Sequence, residues 1–180
     1  WSPLSWIGPR VTADHLIVDD GWCTRTCYVP ADGLAPAAIG PRWLAPILTD
    51  LTGVVRTVSA RIDLVPERDA RAAAVMAKTS DTAAALDAAE SGRTDDGTEA
   101  VLLSSSSRML ADLAPGSGAA GVRWGLFITL QAQGHDALLD ACDQLEEAAG
   151  SAGINRLAWC DDDQDLAWVA ALPLARGIRA

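Results

Sequence analysis

Cys23 and Cys27 stand four positions apart in the stretch GWCTRTCYV. They are the first residues of this 180-residue chain whose type and spacing could do chemistry. The pair could be half a metal site, one arm of a disulfide or a redox couple. If the stretch is a strand, its geometry opposes all three. Positions 23 and 27 then share a face but lie about 13 Å apart along it, at roughly 3.3 Å per residue. A disulfide needs Cα atoms within about 7 Å, and zinc-binding cysteine pairs sit in tight loops. The two thiols therefore read as small packing groups, which leaves Trp22 and Tyr28 as the conspicuous side chains of the stretch. Cys142 falls on the apolar stripe of a helix and Cys160 near the end of a strand, so both read as core.

The chain has two histidines, His15 and His135. Either can act as a base or a ligand. His135 opens a helix next to Asp136, but no serine or cysteine sits in a nucleophile-elbow context. The acidic run CDDDQD at 160–165 and the run TDDGTE at 94–99 offer carboxylates for a hard cation. The first lacks the glycine and distal glutamate of an EF-hand loop and the second does not carry them at EF-hand spacing, so both read as polar loops with a helix cap. No phosphate loop of the G-x-x-x-x-G-K-[ST] type occurs. PGSGAAG at 115–121 precedes a strand, whereas dinucleotide loops follow one. Trp43, Trp159 and Trp168 fall at partly wet positions, where aromatic side chains either fill a core edge or mark an interface.

These residues must be positioned by a chain that is 49% hydrophobic, with seven Trp but a single Tyr and a single Phe. Its length is that of one domain with a sizeable core. A net charge of −10 disfavours nucleic acid and anionic lipid as partners. Four cysteines are too few for a disulfide scaffold, so the thiols are expected to be reduced. No apolar run approaches the about 18 residues of a membrane span. The start, WSPLSWIGPR, lacks the pattern of a signal peptide, and the initial Trp1 suggests a piece of a longer protein or a chain whose leader was trimmed.

Residues 1–12 read as an extended lead-in to a single α+β domain over 13–180. HLIVDDGWCTRTCYV reads as a hairpin, with strands at 15–18 and 22–29 around an Asp20-Gly21 turn. A short helix follows near Pro41 and ends at Gly53. Residues 54–65 alternate, which predicts a half-buried strand. Val58, Ala60, Ile62 and Leu64 share the dry face; Thr57, Ser59, Arg61 and Asp63 share the wet one. Ala-rich residues 67–90 form a long helix and 98–114 a second, within a helical or flexible insertion at 79–121. VRWGLFITLQ, apolar on both faces, is the central strand. A helix with the stripe Leu138, Ala141, Cys142, Leu145, Ala148 and Ala149 follows. A strand at 154–160 and a segment at 164–172 close the chain. The order β-β-α-β-α-α-β-α-β-α predicts a mostly antiparallel sheet packed by helices.

Three stretches carry a family resemblance: RWLAPILTDLTGVVRTVSARIDLVPERDARAA, GVRWGLFITLQAQGHDALLDACDQLEEAAGSAGI and DLAWVAALPLARGI. Over roughly residues 12–179 the chain resembles the carboxy-terminal soluble portion of an actinobacterial, membrane-anchored, conjugation-associated family. That portion is similar to the amino-terminal domain of TraC/TrbE-type ATPases of type IV secretion. The resemblance implies a cytoplasmic docking module held at the inner membrane through segments outside this sequence. Its implied partners are subunits of a secretion or conjugation complex, a motor ATPase among them, and further copies of itself. The ATPase motifs are absent, so no catalytic residue carries over, and no cofactor or metal is expected. The chain departs from the family pattern at 79–118, where Ser, Gly and Ala replace charged helices. The expected function is therefore non-catalytic assembly, with an interaction surface at Trp43, Thr57, Ser59, Arg61, Asp63, Trp159 and Trp168. The alternatives are a small metal-dependent or histidine-based hydrolase using His135 with Asp136 or the acids at 161–165, and a component of another actinobacterial secretion system.

Overall fold

In the computed structural model, the structure describes residues 9–18, 21–30, 33–34, 40–91 and 97–172. Five helices and six strands follow in chain order among them. They are β1 (Arg10–Val11), β2 (Leu16–Val18), β3 (Trp22–Val29), α1 (Ala45–Thr49), β4 (Val55–Val65), α2 (Glu67–Glu90), α3 (Thr98–Asp112), β5 (Gly121–Gln133), α4 (His135–Ser151), β6 (Ala158–Trp159) and α5 (Gln164–Ala171). The strands make one sheet in the order β1-β2-β3-β5-β4, with β6 also on β3. The fold is the α+β architecture that the alternation of elements predicts.

Several local expectations need correction. Residues 9–12 belong partly to a strand, because Arg10 and Val11 pair with Ile17 and Leu16. The helix expected near 41–53 is confined to Ala45–Thr49. The strand expected over 154–160 is an isolated bridge, Leu34 to Ile154, followed by the two residues of β6. Asp20 of the expected hairpin turn lies outside the described residues, as do residues 92–96 between α2 and α3. The dry face expected along β4 holds only at Val58, which packs on the core. Ile62 and Leu64 are exposed.

The chain divides into two compact units. The first comprises Trp1–Ala35, Ile39–Arg61 and Gly125–Ala180. Here β3 is paired along its whole length with β5, from Trp22 opposite Gln133 to Val29 opposite Leu126. Its other edge is shared: β2 takes Trp22–Thr24 and β6 takes Cys27 and Tyr28. Period-2 alternation splits the faces. Cys23, Cys27 and Val29 with Leu126, Ile128, Leu130 and Ala132 form one side of a core. The α4 stripe Leu138, Ala141, Cys142, Leu145, Ala148 and Ala149 closes over it together with Ile47 and Leu51, as the 3.6-residue period of that helix requires.

The opposite face of the same strands is buried yet polar, carrying Thr24, Thr26 and Thr129. Thr26 and Thr129 share a hydroxyl hydrogen bond of 3.0 Å. Between the stretches of β3 covered by β2 and β6, Gln164 completes the ladder. The Thr26 N–H donates to Gln164 Oε1 at 2.8 Å, and Gln164 Nε2 donates to the Thr26 carbonyl at 3.2 Å. A side-chain amide thus stands in for a missing strand residue and anchors the first turn of α5.

The second unit comprises Pro36–Ala38 and Ile62–Trp124. Alanine content and the acidic first turn, Glu67 and Asp69, favour α2. Ala70, Ala74 and Leu113 are its buried centre, with Val65, Leu110 and Ala119 packed against them. Arg71 closes the hairpin by donating from Nη1 to the Leu113 carbonyl just past α3, at 2.7 Å. Gly121 starts β5 under α2. A Cβ built there would stand 2.4 Å from the Ala70 Cβ and 3.3 Å from the Val65 Cβ.

Candidate functional site

The turn between β1 and β2 carries a polar cluster. Thr12 organises it: its N–H donates to the His15 carbonyl at 2.9 Å, and its Oγ1 accepts from the His15 N–H at 3.0 Å. The same Oγ1 lies 2.9 Å from His15 Nδ1 and 3.2 Å from Asp14 Oδ1. The acidic loop braces this turn from outside, because the Asp162 N–H donates to the Ala13 carbonyl at 2.7 Å. Asp162 adopts the left-handed conformation, φ 69°, to do so.

At the other end of the sequence, Gly134 holds the start of α4 beside β3. Its N–H donates to the Gly21 carbonyl at 3.0 Å, and its φ of 89° suits glycine. His135, the first residue of α4, is thereby brought to the β1–β2 turn. His15 Nδ1 lies 2.8 Å from Asp14 Oδ1, and His135 Nε2 lies 3.5 Å from Asp14 Oδ2. The two imidazole rings stack with centroids 4.6 Å apart. Since a carboxylate only accepts, the short contact places the His15 proton on Nδ1. His15 is buried and His135 half-exposed. The hydrogen bond from His15 is the largest influence holding the Asp14 carboxyl down, from the ordinary 3.8 to about 2. Thr12 adds to that effect, while partial burial opposes it.

A carboxyl whose pKa is lowered on folding stabilises the fold above its unfolded pKa, and that contribution is lost as pH falls through the folded value. The Asp14 side chain is 39% exposed, so solvent screening reduces the effect to about 1 kcal/mol. Urea unfolding of Asp14→Asn beside the parent chain should show a deficit of that size at pH 7. The deficit should close between about pH 4 and pH 2. A gap that stays constant over this range would disprove the coupling.

The carboxylate that meets His135 is Asp14, whereas the alternative hydrolase reading offers Asp136 or the acids at 161–165. Those acids are not gathered on His135. Asp161 pairs with Arg25, its Oδ1 2.9 Å from Nη2, and the Arg25 guanidinium lies 4.4 Å over the Trp159 ring. Asp163 occupies the N-cap position of α5 but makes no side-chain cap. The fully buried residue of this run is Gln164, which bonds Thr26.

All four cysteines are free and buried. Burial pushes the thiols up, to about 11 for Cys142 and Cys160, and Cys27 higher still. They therefore remain neutral packing groups rather than thiolates.

The expected interaction residues scatter. Trp43 and Trp159 pack against the first core at its edge, and Trp159 also donates from Nε1 to Glu146 Oε1 at 3.0 Å. Trp168 is half-buried on α5. Thr57 and Arg61 are exposed. Ser59 is engaged internally, its hydroxyl donating to the Ala171 carbonyl at 2.6 Å. Asp63 belongs to the second unit and is half-buried.

What sequence reading missed is an apolar face at the base of the second unit. Gly121 and Val65 face α2, so by alternation Val122 and Trp124 on β5, and Ile62 and Leu64 on β4, face away from it. These four are 58%, 45%, 65% and 76% exposed. The signal was present: Ile62 and Leu64 are apolar at spacing two. Only their burial was misjudged.

The fold and these features define an antiparallel α+β protein with a histidine–carboxylate cluster and a bare apolar sheet end. No protein family, curated protein or solved structure matches the chain. No helix among the described residues is long and apolar enough to cross a membrane.

Proposed function

We propose that this chain is a non-catalytic assembly domain that docks neighbouring subunits of a conjugation or type IV-like secretion machine at the cytoplasmic face of the membrane. The supporting observation is the sheet end formed by Ile62, Leu64, Val122 and Trp124, four large apolar side chains exposed on one face. Contiguous apolar surface of this kind marks interaction sites more often than scattered single residues do. The nature of the machine rests on the resemblance of the three long stretches. In this reading the partners are neighbouring subunits, a motor ATPase among them, and further copies of the chain. Tethering to the inner membrane would come from segments beyond these residues.

A photo-crosslinking residue in place of Leu64, in the assembled machine, should capture a neighbouring subunit. One in place of Leu139, exposed on α4, should not. Leu64→Asp should weaken the captured contact about tenfold or more while shifting unfolding by less than about 0.5 kcal/mol, since the side chain lies at the surface. Equal capture from both positions would defeat the proposal, as would ATP binding at micromolar affinity in calorimetry.

A further inference from the structure

We propose that Asp14, His15 and His135 form a binding site for one divalent transition-metal ion of the zinc type. Two imidazoles and a carboxylate are the ligands that such borderline ions take. One donor atom from each of the three residues lies within 4.8 Å of the other two, the only group of this kind among the described residues. Donors about 2.0–2.2 Å from a tetrahedral ion stand roughly 3.3 Å from one another. Asp14 Oδ1 stands 2.8 Å from His15 Nδ1 and Asp14 Oδ2 stands 3.5 Å from His135 Nε2, so each histidine lies close to that edge length from one oxygen of the shared carboxylate.

The ion would replace the proton on His15 Nδ1, with that ring moving to its Nε2–H tautomer. It would meet a carboxylate whose ion pairs among the described residues are with the two histidines themselves. The remaining adjustment falls on His135. Its ring now stacks on that of His15 and must turn its edge inward, which a half-exposed first residue of a helix can do. Thr12 and the Asp162 N–H hold the Asp14–His15 turn from behind, the outer support that ligand residues require. Three protein donors leave a fourth position to water. The site departs from the metal-free expectation drawn from sequence, because its ligands lie 120 residues apart, and it does not depend on the assembly reading.

The test is calorimetric titration of the chelator-stripped chain with zinc chloride, paralleled by cobalt(II) absorption. The expected result is one ion per chain at micromolar affinity, with a cobalt spectrum free of the sulfur charge-transfer band. His135→Ala, at an exposed position, should keep the circular dichroism of the parent and lose affinity by roughly a hundredfold. Asp136→Asn should bind as the parent does. No zinc heat up to about 100 µM overturns the proposal. So does binding that survives His135→Ala unchanged, or a thiolate band, which would place the ion on cysteine.

Discussion

Gln164→Leu should lower the unfolding free energy of the first unit by about 2–3 kcal/mol, read as an earlier midpoint in urea with tryptophan fluorescence. The leucine nearly preserves volume, so the loss comes from hydrogen bonding and not from a cavity. Gln164 is fully buried, and its Oε1 is the acceptor for the Thr26 N–H. Removing it strands that donor in a site that water does not reach, which costs about 1–3 kcal/mol. The Thr26 carbonyl suffers less, because it still accepts from the Cys160 N–H at 3.1 Å. Gln144 supplies the control. Its Oε1 also accepts from a backbone N–H, that of Thr52 at 3.0 Å, but in an exposed place. Gln144→Leu should therefore cost less than about 0.5 kcal/mol, since water replaces the lost partner. Equal effects at the two positions would show that burial of the amide is not what matters.

Gly121→Ala should destabilise the second unit by about 2 kcal/mol, the usual scale for overpacking. The added methyl would stand 2.4 Å from the Ala70 Cβ, a separation that neither backbone can tolerate, so β5 and α2 must part. Amide exchange along the first turns of α2 should quicken accordingly. Ala70→Gly alone should cost about 1 kcal/mol, from helix propensity. The double variant should recover at least about 1 kcal/mol relative to the sum of the two, because contacting sites couple. Strict additivity would refute the contact.

Much of this architecture was legible in local pattern. The alternation in 54–65 and the stripe Leu138, Ala141, Cys142, Leu145, Ala148 and Ala149 each name an element, because strand and helix periods leave distinct marks. The strand geometry of 22–29 likewise disposed of the cysteine pair, and the structure keeps Cys23 and Cys27 as buried free thiols. Boundaries were less legible. β6 is held to two residues beside Cys27 and Tyr28, a matter of which edge of β3 was already occupied by β2.

The candidate sites followed the opposite rule. Asp14 and His15 are adjacent in sequence, yet nothing local to them announces His135, and nothing in CDDDQD distinguishes its glutamine from its aspartates. Ile62 and Leu64 carry the same alternating pattern as Val58, which is packed on the core. By itself the sequence determined most of the elements, their order and the inward face of α4, since these depend on spacing within a dozen residues. Only the tertiary structure decided which apolar face is left bare, which amide completes a strand and which carboxylate meets two histidines. Those outcomes depend on where a chain end or an edge happens to fall in space, and hydrogen-bond and packing distances between remote residues leave no period in the sequence.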